Sequence, residues 1–423
     1  MSHAFDLRPP RPRARRVRRS PITRRWLIVA ALFVVTYAVA TPLAAYGVFL
    51  PVLGEYFGWS RGALATALSL NQLAGGLAGF AIGALADRRG PRGLLAVTVA
   101  LAGIGFALVS TIGALWQLYL LVGLIAGIGM SSFYLLSAAT VTHWFAERRG
   151  IPLALVLVGF NLGYITGGPL AAWLITRLGW RAAYYVLGAG CGLVTTLAAL
   201  TVRLPRRAER RGLNRAARWG ATRASAAAPG TTLRESLADP RQWMLNLAWM
   251  LMGGVAVMIS VHAVPFARDQ GVSLAGASLA LTAYGVGSVI GRLGGGVVSD
   301  HLGTRATIEV AYVLEILALV ALLWIPWRGM LLASLAAFGV GFTASDTMFT
   351  KVIPEVFGLR AIGAIMGMLS LGWRVGAAVG PAAAGFLYDL TGSYTVPFGV
   401  APLLVAVSWG LFVLSTRRRP LRR

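Results

Sequence analysis

Apolar runs of about 20 residues recur along the whole chain, separated by short polar or arginine-rich stretches. A helix of that length crosses a hydrocarbon core about 30 Å thick and satisfies its own backbone polar groups, as lipid requires. The pattern predicts an all-α integral membrane protein with twelve spans. They fall at about 26–51, 60–84, 94–113, 115–142, 151–175, 182–202, 242–266, 274–298, 306–326, 329–351, 361–387 and 393–415.

The pattern also repeats. Gly58 to Arg92 runs parallel to Gly271 to Arg305 at a constant offset of 213. Ser60 matches Ser273, and Gly83, Asp87, Gly90 and Arg92 match Gly296, Asp300, Gly303 and Arg305. Phe145, Arg148 and Gly168–Pro169 match Phe357, Arg360 and Gly380–Pro381 at an offset of 212. The expected organisation is two pseudo-symmetric six-helix halves, 26–202 and 242–415. They are joined by a central loop, 203–241, and flanked by tails 1–25 and 416–423. Parallel repeats with a site between them near the midplane form a transporter architecture. Two positions break the repeat: Arg292 falls on Gly79, and Arg374 falls on Leu162.

Composition fits this reading. The chain of 423 residues is 57% hydrophobic and only 13% charged, where a soluble domain is about a quarter charged. The formal charge of +25 is gathered in a few loops and the two ends, which argues against a nucleic-acid partner. One set of loops holds both tails, Asp87–Arg92, Glu147–Arg149, 203–241 and Asp300–Arg305, and is far richer in arginine than the other. The positive-inside rule then puts both termini and the central loop in the cytoplasm of a cell (plasma or inner) membrane. The first apolar run is read as a spanning helix, not a cleaved signal peptide. Two readings stand for the central loop: a tether between halves, or a short amphipathic helix on anionic lipid. Cys191 is the only cysteine, and no metal-ligand cluster or phosphate loop is evident, so no metal or cofactor is expected.

GALADRRGPR (Gly83–Arg92) resembles the signature loop between spans two and three of the major facilitator superfamily, and GGVVSDHLGTR is its weaker echo between spans eight and nine. Glycine there lets helices approach, and the aspartate can accept from a helix N-terminus or an arginine. The loop residues singled out are Gly83, Asp87, Arg88, Gly90 and Arg92, with Gly296, Asp300, Gly303 and Arg305 in the second half. A narrower resemblance follows. YGVFLPVLGEYFGWSR (Tyr46–Arg61), GIGMSSFY (Gly127–Tyr134) and GRLGGGVVSD look like the monocarboxylate transporters and the oxalate–formate antiporters. That resemblance puts Arg292 at the position of the family's substrate-binding arginine in span eight, and Arg374 near a second basic residue in span eleven. It also departs from the family. Ser288 stands where animal monocarboxylate transporters carry an acid, and span one has no lysine.

Arg292 lies eight residues before Asp300, about 12 Å into the membrane. An ionised group at that depth faces a wet cavity or a partner, and a guanidinium can hold a carboxylate with two parallel bonds. The face it shares with Gly285, Ser288 and Gly296 is nearly bare. Asp346 in span ten is read as a proton carrier or as the partner of an arginine, with Arg374 the obvious one. Glu315 in span nine faces lipid or a helix seam. His262 in span seven is a coupling candidate because an imidazole titrates near neutral pH. Tyr37, Asn71, Tyr134, Asn161, Tyr164, Tyr284 and Trp373 are polar or aromatic candidates, of which Tyr134 and Asn161 are favoured.

The sequence is thus read as a secondary transporter of small organic anions, foremost monocarboxylates, with proton symport or anion exchange. The alternatives are a drug or metabolite efflux carrier, which would want an acidic site, and a transporter-fold sensor, which would want an added signalling domain. No nucleophile–base arrangement points to an enzyme.

Overall fold

The computed structural model describes residues 21–145, 150–202, 230–324, 328–358 and 360–416. Most of the central loop (203–229), the loop Glu147–Arg149 and most of both tails lie outside them, and the described end of the central loop forms one short helix, Leu233–Ala238, capped by Thr232. Among the described residues there are eleven helices long and apolar enough to cross a membrane. One of these, Gly150–Thr201, contains Gly179 at φ 79°, a backbone state that breaks it into two spans. The spans are therefore α1 (Pro21–Phe57), α2 (Arg61–Arg89), α3 (Pro91–Leu108), α4 (Leu115–Trp144), α5 (150–178), α6 (180–201), α7 (Pro240–Asp269), α8 (Leu274–Leu302), α9 (Thr304–Trp324), α10 (Arg328–Phe357), α11 (Ile362–Thr391) and α12 (Thr395–Thr416). The twelve predicted spans are all present, and most run a few residues longer than their apolar cores.

Matched glycines end matched helices. Gly90 (φ 80°) and Gly303 (φ 81°) close α2 and α8, donating their N–H groups to Ala86 and Ser299. Gly58 and Gly271 precede the matched serine caps, Ser60 accepting from Ala63 and Ser273 from Gly276.

The repeat is visible in the packing as well. Gly159, Gly163 and Gly167 of α5 bring its backbone onto Phe33–Thr41 of α1. Gly372, Gly376 and Gly380 of α11 do the same on Asn246–Gly254 of α7. Gly123 and Gly127 of α4 sit on Ala67–Ala74 of α2, while Gly287, Gly291 and Gly295 of α8 sit on Ala336–Ala344 of α10. Lipid gives no hydrophobic drive between helices, so close backbone contact at small residues holds such seams.

The halves meet through α2 with α11, α5 with α8, and α1 with α7. Span four is irregular. Tyr119–Ala126 is wound as a π-helix, and Asn71 donates to the carbonyl of Val122 there (2.8 Å). At Ser131–Ser132 the helix breaks before restarting at Phe133. Such departures concentrate at functional sites.

Gly291→Ala would press a methyl against Val340 and Thr343, whereas Gly294→Ala enters open space. The first is expected to lower stability by about 1–3 kcal/mol and the second to leave it nearly unchanged, as read by thermal unfolding in detergent.

Candidate functional site

The α8–α10 seam places the deepest charges. Small residues at Gly287, Gly291 and Gly295 let α10 lie close enough for Asp346 to reach Arg292, with Nη2 to Oδ2 at 3.7 Å. The two side chains keep 19% and 23% of their surface open, so the pair is mostly buried but still touches open space. Asp346 Oδ1 also accepts from the indole N–H of Trp249 in α7 (3.2 Å). Arg292 Nε is buried and has no hydrogen-bond partner. The expected pairing of Asp346 with Arg374 is therefore not what the structure shows. The acid absent at Ser288 is supplied to Arg292 by the neighbouring span, where no local spacing in sequence could reveal it.

Arg374 lies instead across the seam between halves, its side chain passing over Gly75 and Gly76 of α2. Any Cβ at those two positions would meet its Nη1 or Cδ. It is half-buried and makes no hydrogen bond or ion pair among the described residues.

An aromatic wall connects the halves beside these groups. Phe133 stacks on Phe160 (5.7 Å), Phe160 approaches Tyr164 (5.4 Å), Tyr164 meets Tyr284 edge-on (5.9 Å), and Tyr284 stacks on Phe338 and Phe342. Tyr134, the next residue after Phe133, is 54% exposed and within electrostatic reach of both Arg292 and Asp346. Asn161 is buried against Gly285 with its Nδ2 unpartnered. Ser288 is buried on the same α8 face, its carbonyl accepting from Thr343 (2.8 Å). Arg292, Tyr134, Tyr284, Ser288 and Asp346 are thus brought together, and Asn161 lies one helix turn or two away along the α5–α8 contact. Phe133, Phe160, Phe338, Phe342 and Trp249 were not foreseen, because an aromatic in an apolar run carries no pattern that separates wall from core.

Other candidates are occupied elsewhere. His262 is fully buried. Its Nε2 donates to the carbonyl of Pro381 (2.9 Å), which leaves Nδ1 to accept from the Tyr394 hydroxyl (2.8 Å). Both ring nitrogens are committed to structure, and Arg292 is not among their partners. Tyr37 accepts from Thr166 (3.2 Å), Asn71 supports the π-helix, and Trp373 fills the space left by Gly253. Glu315 faces a helix seam and not lipid.

One end of the molecule is clasped shut. Arg61, at the start of α2, holds Asp269 with two bonds (2.7 and 2.5 Å) while its guanidinium lies 3.8 Å from the centre of the Tyr388 ring. Asp389 of α11 accepts from the backbone N–H groups of Arg61 (3.0 Å) and Gly62 (2.8 Å), capping α2 from the opposite half. Arg268 lies 3.6 Å from Glu55. Deeper between the halves, Thr282 donates to the carbonyl of Ile165 (2.7 Å). The signature loops are at the other end. There Asp300 is exposed and unpaired, Arg305 bonds Glu309 (2.9 Å) within its own helix, and Arg88 and Arg92 are exposed. Gly83 approaches Leu135, but Gly296 faces open space. The contact expected of the loop aspartate is absent at Asp300, and the Asp87 side chain lies outside the described residues.

Twelve helices in two repeats, clasped at one end, with charges at mid-depth between them, define a multi-pass membrane transport protein. The Major Facilitator Superfamily model matches residues 28–273 and 244–423, and the chain belongs to that superfamily. Among curated relatives, Monocarboxylate transporter 11 of Homo sapiens is 28% identical over 411 residues, covering 93% of this chain and 83% of that protein. Monocarboxylate transporter 13 of Rattus norvegicus is 26% identical over 397 residues (92% and 88%). An uncharacterized MFS-type transporter of Escherichia coli, YhjX, is 24% identical over 358 residues (83% and 85%). The fold matches a solved bacterial homolog of the human lysosomal transporter Spinster, in an inward-facing and occupied conformation. Its TM-score is 0.75 at 17% identity, with 93% of this chain and 96% of that one covered.

Asp346→Asn strips Arg292 of its counter-charge, and the pair's partial burial makes this destabilising. A double-mutant cycle with Arg292→Met and Asp346→Leu is expected to return a coupling of about 1–3 kcal/mol, the Met/Leu double variant melting above Asp346→Asn.

Proposed function

We propose that the chain is a secondary transporter of small organic anions, foremost monocarboxylates. It sits in the cell membrane with both termini cytoplasmic and works by alternating access of the halves 26–202 and 242–415. The observation that carries this reading is Arg374, a half-buried guanidinium at the seam between halves with no counter-charge among the described residues. Arg292 adds an unpartnered Nε, and Asp346 neutralises only one of the two arginines. A site with one surplus positive charge suits a monoanion, held by charge-assisted bonds from Arg374 and Arg292. Tyr134, Asn161, Ser288 and Tyr284 supply the remaining donors and the apolar wall. The alignment with monocarboxylate transporters over most of the chain supports the same substrate class. In this orientation the Arg61 clasp lies on the extracellular side of the membrane.

The test is uptake of radiolabelled lactate, pyruvate, formate and oxalate into proteoliposomes. A monocarboxylate is taken up, and Arg374→Ala or Arg292→Ala weakens its transport about 10- to 100-fold, the loss of one charge-assisted bond. Arg374→Lys keeps the charge and is expected to retain part of it. Uptake indifferent to both arginines would sink the site assignment.

A further inference from the structure

Glu315 of α9 is an ionisable residue whose side chain is completely buried. Its Oε1 lies 2.7 Å from the hydroxyl of Ser345, and its Oε2 has no hydrogen-bond partner. The Ser345 hydroxyl also lies 2.9 Å from the carbonyl of Phe342. A hydroxyl has one proton to give, and a carbonyl can only accept. The Ser345 proton is shared between the two acceptors or given to one of them, as at Thr343 between the carbonyls of Ser288 and Gly339, and in neither case does Glu315 gain a second donor. A carboxylate in the same place would keep a single bond and one bare oxygen in an apolar seam.

The surroundings link this proton to the candidate site. From α10, Ser345 bonds Glu315, and its neighbour in the chain, Asp346, pairs with Arg292 of α8. From α12, Ser408 bonds the Tyr312 hydroxyl (2.8 Å), and α7 contributes Met252 beside Ser345 (3.4 Å). Among the described residues, the charged group nearest to Glu315 through the chain of contacts is Asp346, next to its partner Ser345, and Asp346 is in turn paired with Arg292.

We propose that Glu315 is the proton-binding residue of the carrier, and that its protonation and the binding of a monoanion promote each other. The inference rests on the anion-transport reading above. With Glu315 protonated, the two arginines and Asp346 leave one surplus positive charge, which a monoanion cancels. With Glu315 ionised, the buried set is already neutral, and an added anion makes it negative at mid-depth. Proton and anion then travel together, and the loaded carrier moves without net charge. By linkage, anion affinity falls as pH rises, by up to about tenfold per unit.

The experiment compares the full chain with Glu315→Gln in proteoliposomes, reading uptake under an inward proton gradient and counterflow exchange at equal pH on both sides. The expected result is that Glu315→Gln exchanges substrate with a flat pH profile and gains nothing from the gradient, whereas the unaltered chain is accelerated by it. A gradient response in Glu315→Gln equal to that of the unaltered chain overturns the proposal. So does loss of exchange in a variant that melts like the unaltered chain, because Glu315 would then serve substrate binding itself. If Glu315→Gln does not fold, Ser345→Ala replaces it. Removing the hydroxyl should displace the pH midpoint of anion affinity, and an unmoved midpoint again overturns the proposal. Absence of any uptake by the unaltered chain would instead sink the transport reading and this inference with it.

Discussion

A guanidinium at the middle of a bilayer must be answered, and the C-terminal half is built around answering Arg292. An isolated charge there is expensive. The answer is a glycine seam, Gly287, Gly291 and Gly295, that brings the α10 backbone close enough for Asp346 to pair with it. The seam is thus electrostatic as well as steric. It sets the distance between two helices, and that distance sets whether the charge is tolerable. Trp249 closes the arrangement from α7 by donating to the same aspartate, so three helices share one charged group.

The fold was largely legible in the chain. Apolar length set the spans, and the 213-residue offset set the two halves, because both are local or periodic properties that lipid enforces strictly. The site was legible in kind but not in wiring. Arg292, Arg374, Asp346 and Glu315 announce themselves as charges in apolar runs. Which acid meets which arginine depends on helix rotation and spacing, which the one-dimensional pattern does not carry. Asp346 accordingly turned out to face Arg292, 54 positions away, and not Arg374, 28 positions away. His262 shows the converse. Its chemistry is suggestive, but Pro381 and Tyr394 occupy both nitrogens, and neither partner is near it in the chain.

Superposing the repeats sharpens what the duplication was used for. Arg292 falls on Gly79 and Arg374 on Leu162, and at the same offset of 212 Asp346 falls on Tyr134. The N-terminal copy kept neutral residues at all three places. One half therefore presents charge and the other presents glycine and aromatic surface. Gly75 and Gly76 make room for Arg374, which passes over them from the other half. Division of labour between identical folds explains how a symmetric scaffold can hold an asymmetric ligand.

The clasp at the other end is made of a different material. Asp389 supplies the missing acceptor for the first N–H groups of a helix in the opposite half, and Arg61 leans on Asp269 at the surface. Every one of these groups can be satisfied equally well by water, so parting them strands nothing. Such a closure resembles a magnet more than a bolt: it aligns the halves at short range through groups that water can also satisfy. Mobile ions screen it with a decay length of about 8 Å at physiological strength. The balance between its closed and open forms is thereby exposed to the electrolyte at that face of the membrane, while the glycine seams within each half are not.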